Sequence, residues 1–398
     1  MRKSEFPRWD RMHKLNFGLI LKTTGRAPLF VLVGMTLFMA IVMLYFGIRF
    51  KGFRPTNNIE WLPAGEGLCF KRFAIAYTDD FFPRSDAVGK DAGLTVEIAF
   101  RSLDLTSGNF SYLLSVYAGD DQSQLLIGQW RHGLIIMNGA DHDGRLGTRK
   151  VTVDISGTER RTNLLTVTSD RKGTNAYLNG KLVKSDPKLQ LLCPYQAGRT
   201  WLTLGNSVYG RHPWHGSLAG LAVYDVAIGP EEVMEHEAQR AAGGEVRIHG
   251  GTAPKIRYRF DLHAAGQLNN MAGKDYPLHI PEWMVILKKE VLGWPEMHSL
   301  MKWGMVRDIV LNLFGFMPLG WMLCATLSRF KGFPGRHHLG LALGFAFALS
   351  LSIEIVQAWI PSRDSSLLDL TMNTLGAFGG GRIYAVGWNA QRGQADLT

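Results

Sequence analysis

The sequence predicts a membrane protein of mixed class: four transmembrane helices and, inserted between the first and second, an extracytoplasmic all-β jelly-roll sandwich. Three observations lead there. Residues 29–48 form an uncharged apolar run of twenty, which at about 1.5 Å per residue spans about 30 Å, the thickness of a hydrocarbon core. Three more apolar stretches crowd into 309–388. Between them, from 52 to 280, short β-rich runs alternate with turn dipeptides, the pattern of an antiparallel sandwich.

The chain begins basic. Its net charge of +10 is uneven, with Arg2, Lys3, Arg8, Arg11, Lys14, Lys22 and Arg26 set against Glu5 and Asp10 before the first apolar run. A basic arm that stops at a span obeys the positive-inside rule. No recognition motif accompanies the charge, so nucleic acid is not expected as a partner. The run 29–48 is longer than the apolar region of a signal peptide, about 7–15 residues, and leads into Arg49-Phe50-Lys51. It reads as an uncleaved helix with its N-terminus in the cytoplasm. The expected order is a basic cytoplasmic arm (1–28), a first span (29–48), the jelly roll (52–250), a linker with an interfacial segment (251–308), spans two to four (309–388) and a cytoplasmic tail (389–398).

Strands are expected over Leu94–Phe100, Tyr112–Tyr117, Leu125–Gln129, Leu134–Met137, Val151–Ile155, Leu164–Thr168, Asn175–Leu178, Trp201–Leu204 and Leu218–Tyr224. Asn138-Gly139, Asp143-Gly144, Lys172-Gly173 and Asn179-Gly180 separate them, and Asn-Gly is the dipeptide that type I′ hairpins favour. Pro230-Glu231-Glu232-Val233 opens a helix, with proline early and acids in the first turn. Leu164–Thr168 followed by Ala176–Val183, then Leu204-Gly205-Asn206, Trp214–Leu218 and Val223-Tyr224-Asp225, resembles the laminin-G-like, concanavalin-type jelly rolls over 65–245. Domains of that resemblance often bind glycans, while others bind proteins or space other modules. Trp130, His132, Trp201, Tyr209, His212, Trp214 and His215 either supply a sugar-stacking surface or, for most of them, fill the inter-sheet core. Tyr209, His212 and His215 sit in a loop and are the candidate glycan-binding residues.

Asp141-His142-Asp143 either solvates a turn or ligates calcium; the ion wants about 6–8 oxygens, which favours the turn. Three cysteines exclude a disulfide-dense scaffold. Cys324 lies in an apolar stretch as packing. Cys69 and Cys193 fall in the extracytoplasmic region, where they form either a bridge or two buried thiols.

Residues 281–307 mix Trp283, Trp294 and Trp303 with lysines and apolar residues, which suits a segment lying at headgroup level. Spans follow at 309–327, 339–360 and 367–388. The link 328–338 holds Arg329, Lys331 and Arg336 and belongs inside. The C-terminus is then cytoplasmic. Pro318 interrupts the second span, and Gly376, Gly379, Gly380 and Gly381 permit close helix approach in the last.

This topology gathers polar residues at one depth. Asp308 and Asn312 start a descending helix, Glu354 and Gln357 end an ascending one, Arg363 and Asp364 occupy the turn, and Asp369 and Asn373 start the last helix. All eight fall within about two turns of the outer surface, or ~11 Å. Charge in hydrocarbon costs at least ~2.5 kcal/mol, so these groups should face the bundle, a partner or water. The constellation Asp308…Asn312…Phe316-Met317-Pro318-Leu319-Gly320, Ser352-Ile353-Glu354…Gln357 with Arg363, and Asp369…Asn373-Thr374-Leu375-Gly376 resembles the VanZ family. That resemblance implies a multi-pass protein of the bacterial cytoplasmic membrane. The founding member is linked to resistance to the glycopeptide antibiotic teicoplanin. The large insertion departs from a minimal VanZ-like protein.

Three functional expectations follow. The first is non-enzymatic: the polar cluster binds a membrane lipid headgroup or lipid-linked glycan precursor, Arg363 meeting its phosphate or carboxylate, and the jelly roll binds an envelope glycan. The second is an enzyme using Glu354 with Asp308 or Asp369 as acid and base. The third is a purely structural polar network, with the jelly roll alone carrying function as an adhesion module. No nucleophile elbow, Walker loop, HExxH or Cys/His set is present, and no metal or cofactor is expected.

Overall fold

The computed structural model describes residues 27–48, 55–63, 66–79, 93–119, 125–139, 147–158, 161–191, 200–242, 252–261, 266–289, 291–294, 303–330, 335–360, 363 and 365–395. The basic arm before Ala27, Arg49–Lys51, Asp141–Asp143, Cys193, Lys331 and Asp364 lie outside these residues. The chain divides into two compact units, one of residues 54–288 and one of 1–53 with 289–398.

The first unit is a sandwich of two antiparallel sheets. In chain order its strands are β1 (Ile59–Trp61), β2 (Leu68–Phe70), β3 (Ala76–Asp79), β4 (Leu94–Ser102), β5 (Ser111–Tyr117), β6 (Leu125–Trp130), β7 (Gly133–Asn138), β8 (Lys150–Asp154), β9 (Asn163–Asp170), β10 (Gly173–Leu178), β11 (Lys181–Asp186), β12 (Trp201–Leu204), β13 (Gly216–Tyr224), β14 (Ile256–Arg259), β15 (Gln267–Leu268) and β16 (Leu278–His279). One sheet runs β1-β2-β13-β4-β9-β10-β11 with β14 paired to β13; the other runs β15-β16-β3-β12-β5-β6-β7-β8. The nine expected strands all form, most with one or two residues more. Alternation explains them: Val96, Ile98 and Phe100 of β4 face Leu114, Val116, Leu202 and Leu204 in one inter-sheet core. Asn179 and Gly180 take φ of 52° and 74°, as a type I′ turn demands, and join β10 to β11.

The sandwich reaches past the expected boundary at 250. Ile256–Arg259 pairs with β13, and β15 and β16 extend the second sheet within what was expected to be linker. Ile256, Tyr258, Leu268 and Leu278 bury their side chains in the core, which is why these short runs fold with it. Trp283 also belongs to this unit, bridged to Thr56. A helix, α2 (Pro230–Ala241), follows β13 and starts as expected with proline at its first turn.

The second unit is helical: α1 (Leu29–Ile48), α3 (Trp303–Leu327), α4 (Gly335–Gln357) and α5 (Leu367–Ala395). Three of the described helices, α1, α3 and α4, are long and apolar enough to cross a membrane. The fourth expected span is helical as well. Its Asp369, Arg382 and Arg392 and its many glycines dilute the apolar run, so composition alone does not make α5 a span.

Backbone contact joins α3 to α5. A Cβ on Gly376 would strike the Leu313 carbonyl oxygen, one on Gly380 the Met317 oxygen, and one on Gly320 the Ala377 oxygen. Small residues are what allow helices in lipid to pack this closely. At Gly379 a Cβ meets only the Met317 methyl, at 3.1 Å. The buried hydroxyls of Thr36 and Thr326, 2.9 Å apart, tie α1 to α3.

Candidate functional site

The polar residues at the α4–α5 turn are used to close helix ends. An α-helix leaves its last carbonyls and first amides without intrahelical partners. The end of α1 is closed by side chains from elsewhere: Gln357 Nε2 donates to the Gly47 carbonyl at 2.8 Å, and Arg363 Nη2 to the Phe46 carbonyl at 3.0 Å. The start of α5 is closed by Ser366, whose hydroxyl faces the Asp369 amide at 3.4 Å. In a capping box, the third helical residue would reach back to the Ser366 amide. Here that amide donates instead to Glu354 Oε2 of α4, at 2.7 Å. Glu354 is buried, and Asp369 and Arg363 are close enough to interact with it electrostatically.

Two further contacts complete this end. Asn373 Nδ2 donates to Ser350 Oγ at 2.9 Å, and the buried Asn373 Oδ1 has no hydrogen-bond partner among the described residues. The segment 291–294 lies against the turn: Leu292 N donates to Ser365 Oγ, Gly293 N to the Ser365 carbonyl, and Leu367 N to the Gly293 carbonyl, each within 3.1 Å.

Glu354, Gln357, Arg363, Asp369 and Asn373 therefore meet at one end of the bundle. Asp308 is exposed, 3.3 Å from the neighbouring Arg307. Leu313 lies beside Gly376 and Met317 beside Gly380, so α3 and α5 run parallel. Carried back, that register sets Asp308 and Asn312 level with Thr371 and Leu375. Asn312 is half-buried on α3. Spacing did not name the partners, because the side chains of Glu354, Gln357 and Arg363 bond backbone atoms.

Trp294, Trp303 and Trp359 are exposed around the same unit, and the Lys289 ammonium lies 4.7 Å from the Trp359 ring centroid. Such a belt of tryptophan and lysine suits a membrane–water interface.

In the sandwich, each of the three loop candidates has a different partner. Tyr209 packs edge-on to Tyr117, ring centroids 6.0 Å apart. His212 stacks on Tyr112 at 4.5 Å and places Nδ1 3.1 Å from Ser207 Oγ. Tyr112 and Tyr117 are opposite ends of β5, roughly 17 Å apart at ~3.4 Å per residue. His215 is exposed and lies near Asp104. Among the tryptophans, Trp214 is core, its indole donating to Gln129 Oε1 at 2.7 Å. Trp201 is not: Leu202 and Leu204 take the inward positions of β12, so Trp201 stands on the outer face of the second sheet. Cys69 is buried on β2. Among the described residues, no group of three or more His, Cys, Asp or Glu is placed to hold a metal ion.

Fold and site together define a class, a protein with apolar helices long enough to cross a membrane and an all-β sandwich inserted between α1 and α3. Residues 260–387 match the VanZ/LLP1 family and residues 82–234 the concanavalin A-like lectin/glucanases superfamily. The chain thus carries a VanZ-type domain and a laminin-G-like, concanavalin-type domain. No curated protein matches it. Among solved structures, the NanB sialidase from Streptococcus pneumoniae is 19% identical over 37% of this chain and 24% of its own, with a TM-score of 0.30. The Ruminococcus gnavus IT-sialidase CBM40 is 18% identical over 39% of this chain and 85% of its own, with a TM-score of 0.29. The receptor binding domain of botulinum neurotoxin D is 11% identical over 47% of each chain, with a TM-score of 0.34. Likenesses this distant say nothing of a ligand.

Proposed function

We propose that this is a non-enzymatic, multi-pass protein of the bacterial cytoplasmic membrane whose extracytoplasmic sandwich binds an envelope glycan or a lipid-linked glycan precursor. The supporting observation is the pairing, in one chain, of a concanavalin A-like lectin/glucanase domain with a VanZ-type domain and apolar helices. In this reading α5 is the fourth span, both termini are cytoplasmic, and the α4–α5 turn lies at the outer leaflet beside the lipid headgroups.

The contacts at that turn favour a holding role over acid–base chemistry. Glu354 accepts from a backbone amide, Gln357 and Arg363 are bonded to carbonyls, and Asp308 is solvent-exposed. A general acid and base must both reach one reacting group. The full-length protein in lipid nanodiscs, applied to an array of bacterial envelope polysaccharides, should retain a defined subset. Retention of none overturns the glycan reading.

A further inference from the structure

The outer face of the second sheet is divided. At one end Phe110, Tyr112, Leu126, Ile135 and Met137 pack into a buried apolar cluster. At the other, strand alternation turns Tyr77, Asp79, Trp201 and His279 outward, since Ala76, Leu202 and Leu278 take the inward positions. The pairing is in register: Trp201 lies opposite Asp79, and His279 opposite Tyr77. Three paired strands thus supply four side chains on a rigid platform.

Their contacts converge on one carboxylate. Trp201 Nε1 donates to Asp79 Oδ1 at 3.1 Å, and His279 Nε2 lies 3.6 Å from Asp79 Oδ2. The His279 ring sits 5.3 Å from that of Tyr77. Trp201 is flanked by Tyr117, nearly parallel to it at 6.2 Å, and the Lys288 ammonium bonds the Tyr117 hydroxyl. Asp79 nevertheless keeps 59% of its side chain exposed.

An ionised carboxylate offers about four lone-pair sites on its two oxygens. Trp201 occupies one on Oδ1 and His279 faces Oδ2, so each oxygen keeps acceptor capacity toward solvent. Two acceptors side by side match the two hydroxyls of a vicinal diol. The flanking rings of Trp201 and Tyr77 offer an apolar surface for the C–H face of a sugar. We propose that Tyr77, Asp79, Trp201 and His279 form a saccharide site that takes a pyranose with vicinal hydroxyls, Asp79 accepting from the diol and Trp201 packing against the ring. This rests on the reading of the sandwich as a glycan binder and places the ligand on the sheet, not in the 205–216 loop.

The test is calorimetric titration of the full-length protein in nanodiscs with cellotetraose, maltotetraose, chitotetraose and mannotetraose. At least one binds the parent protein, and its per-O-methylated form does not. Asp79→Ala and Trp201→Ala weaken that binding at least tenfold, while Lys181→Ala on exposed β11 leaves it unchanged. Asp79→Ala decides alone if Trp201→Ala lowers the melting temperature. Parent binding that survives both substitutions within twofold overturns the site and leaves the glycan reading intact. Binding of none of the four overturns this site, and the envelope-polysaccharide array decides the glycan reading separately.

Discussion

His236 on α2 holds its Nδ1 3.1 Å from both carboxylate oxygens of Glu97 on β4. Both side chains are buried, and the carboxylate also accepts from the Thr166 and Tyr224 hydroxyls at 3.1 Å. Glu232 lies 3.9 Å from the other imidazole nitrogen. This network fastens α2 to the outer face of the first sheet.

Burial works against the imidazolium, but the hydrogen bond and charge of Glu97 outweigh it and raise the His236 pKa above its usual value. A group with a raised folded pKa contributes stability that is fully present below its unfolded value, about 6.5. That contribution is lost as pH rises through the folded value. The melting temperature of the sandwich should therefore fall as pH is raised above about 6.5, and His236→Ala should flatten that part of the profile. Removing one partner of a buried pair costs about 3–5 kcal/mol, so Glu97→Ala should destabilise by that order. Thermal melts across pH check both.

Glu354→Gln keeps an oxygen for the Ser366 amide, whereas Glu354→Ala leaves that amide unpaired at a cost of about 1–3 kcal/mol. The expected result is near-parental stability for glutamine and a clear loss for alanine, read by melts in detergent. Normal abundance of Glu354→Gln with a lost envelope phenotype would instead show that the charge itself is needed.

Gly380→Val drives a side chain into the Met317 backbone and should destabilise the bundle by about 1–3 kcal/mol or more. Gly379→Ala meets only the mobile end of Met317 and should be tolerated. Comparing the two melts, with Gly315→Ala as an open-space control, tests the α3–α5 contact.

Arg363→Ala and Gln357→Ala each expose a carbonyl at the end of α1. Hydrogen exchange of the last turn of α1 should quicken in both, and quicken further in the double variant. Unchanged exchange would mean that this helix end is closed by other groups.

The sequence carried nine strands, some as short as the four residues Trp201–Leu204, and the helices with long apolar runs. It did not carry Leu68–Phe70, buried at every position, or the two-residue β15 and β16, which offer no period to read. Ile256-Arg257-Tyr258-Arg259 does alternate and is the signal by which the sandwich could have been followed past 250. Site residues divide the same way. Helical spacing put Glu354 with Gln357, and Asp369 with Asn373, on shared helix faces. Trp201 and Asp79 are 122 residues apart and meet only through the pairing of β12 with β3, a register that local pattern does not specify.

In the proposed topology the lectin-like sandwich is displayed outside the membrane while the α3–α4 link stays inside. This topology is tested most directly by Lys181→Cys and Arg329→Cys in a chain whose own cysteines are replaced, labelled with a membrane-impermeant maleimide on bacterial spheroplasts. Labelling of Lys181→Cys on intact spheroplasts, and of Arg329→Cys only after permeabilisation, is the predicted result. Labelling of both from one side, or the reverse order, contradicts it.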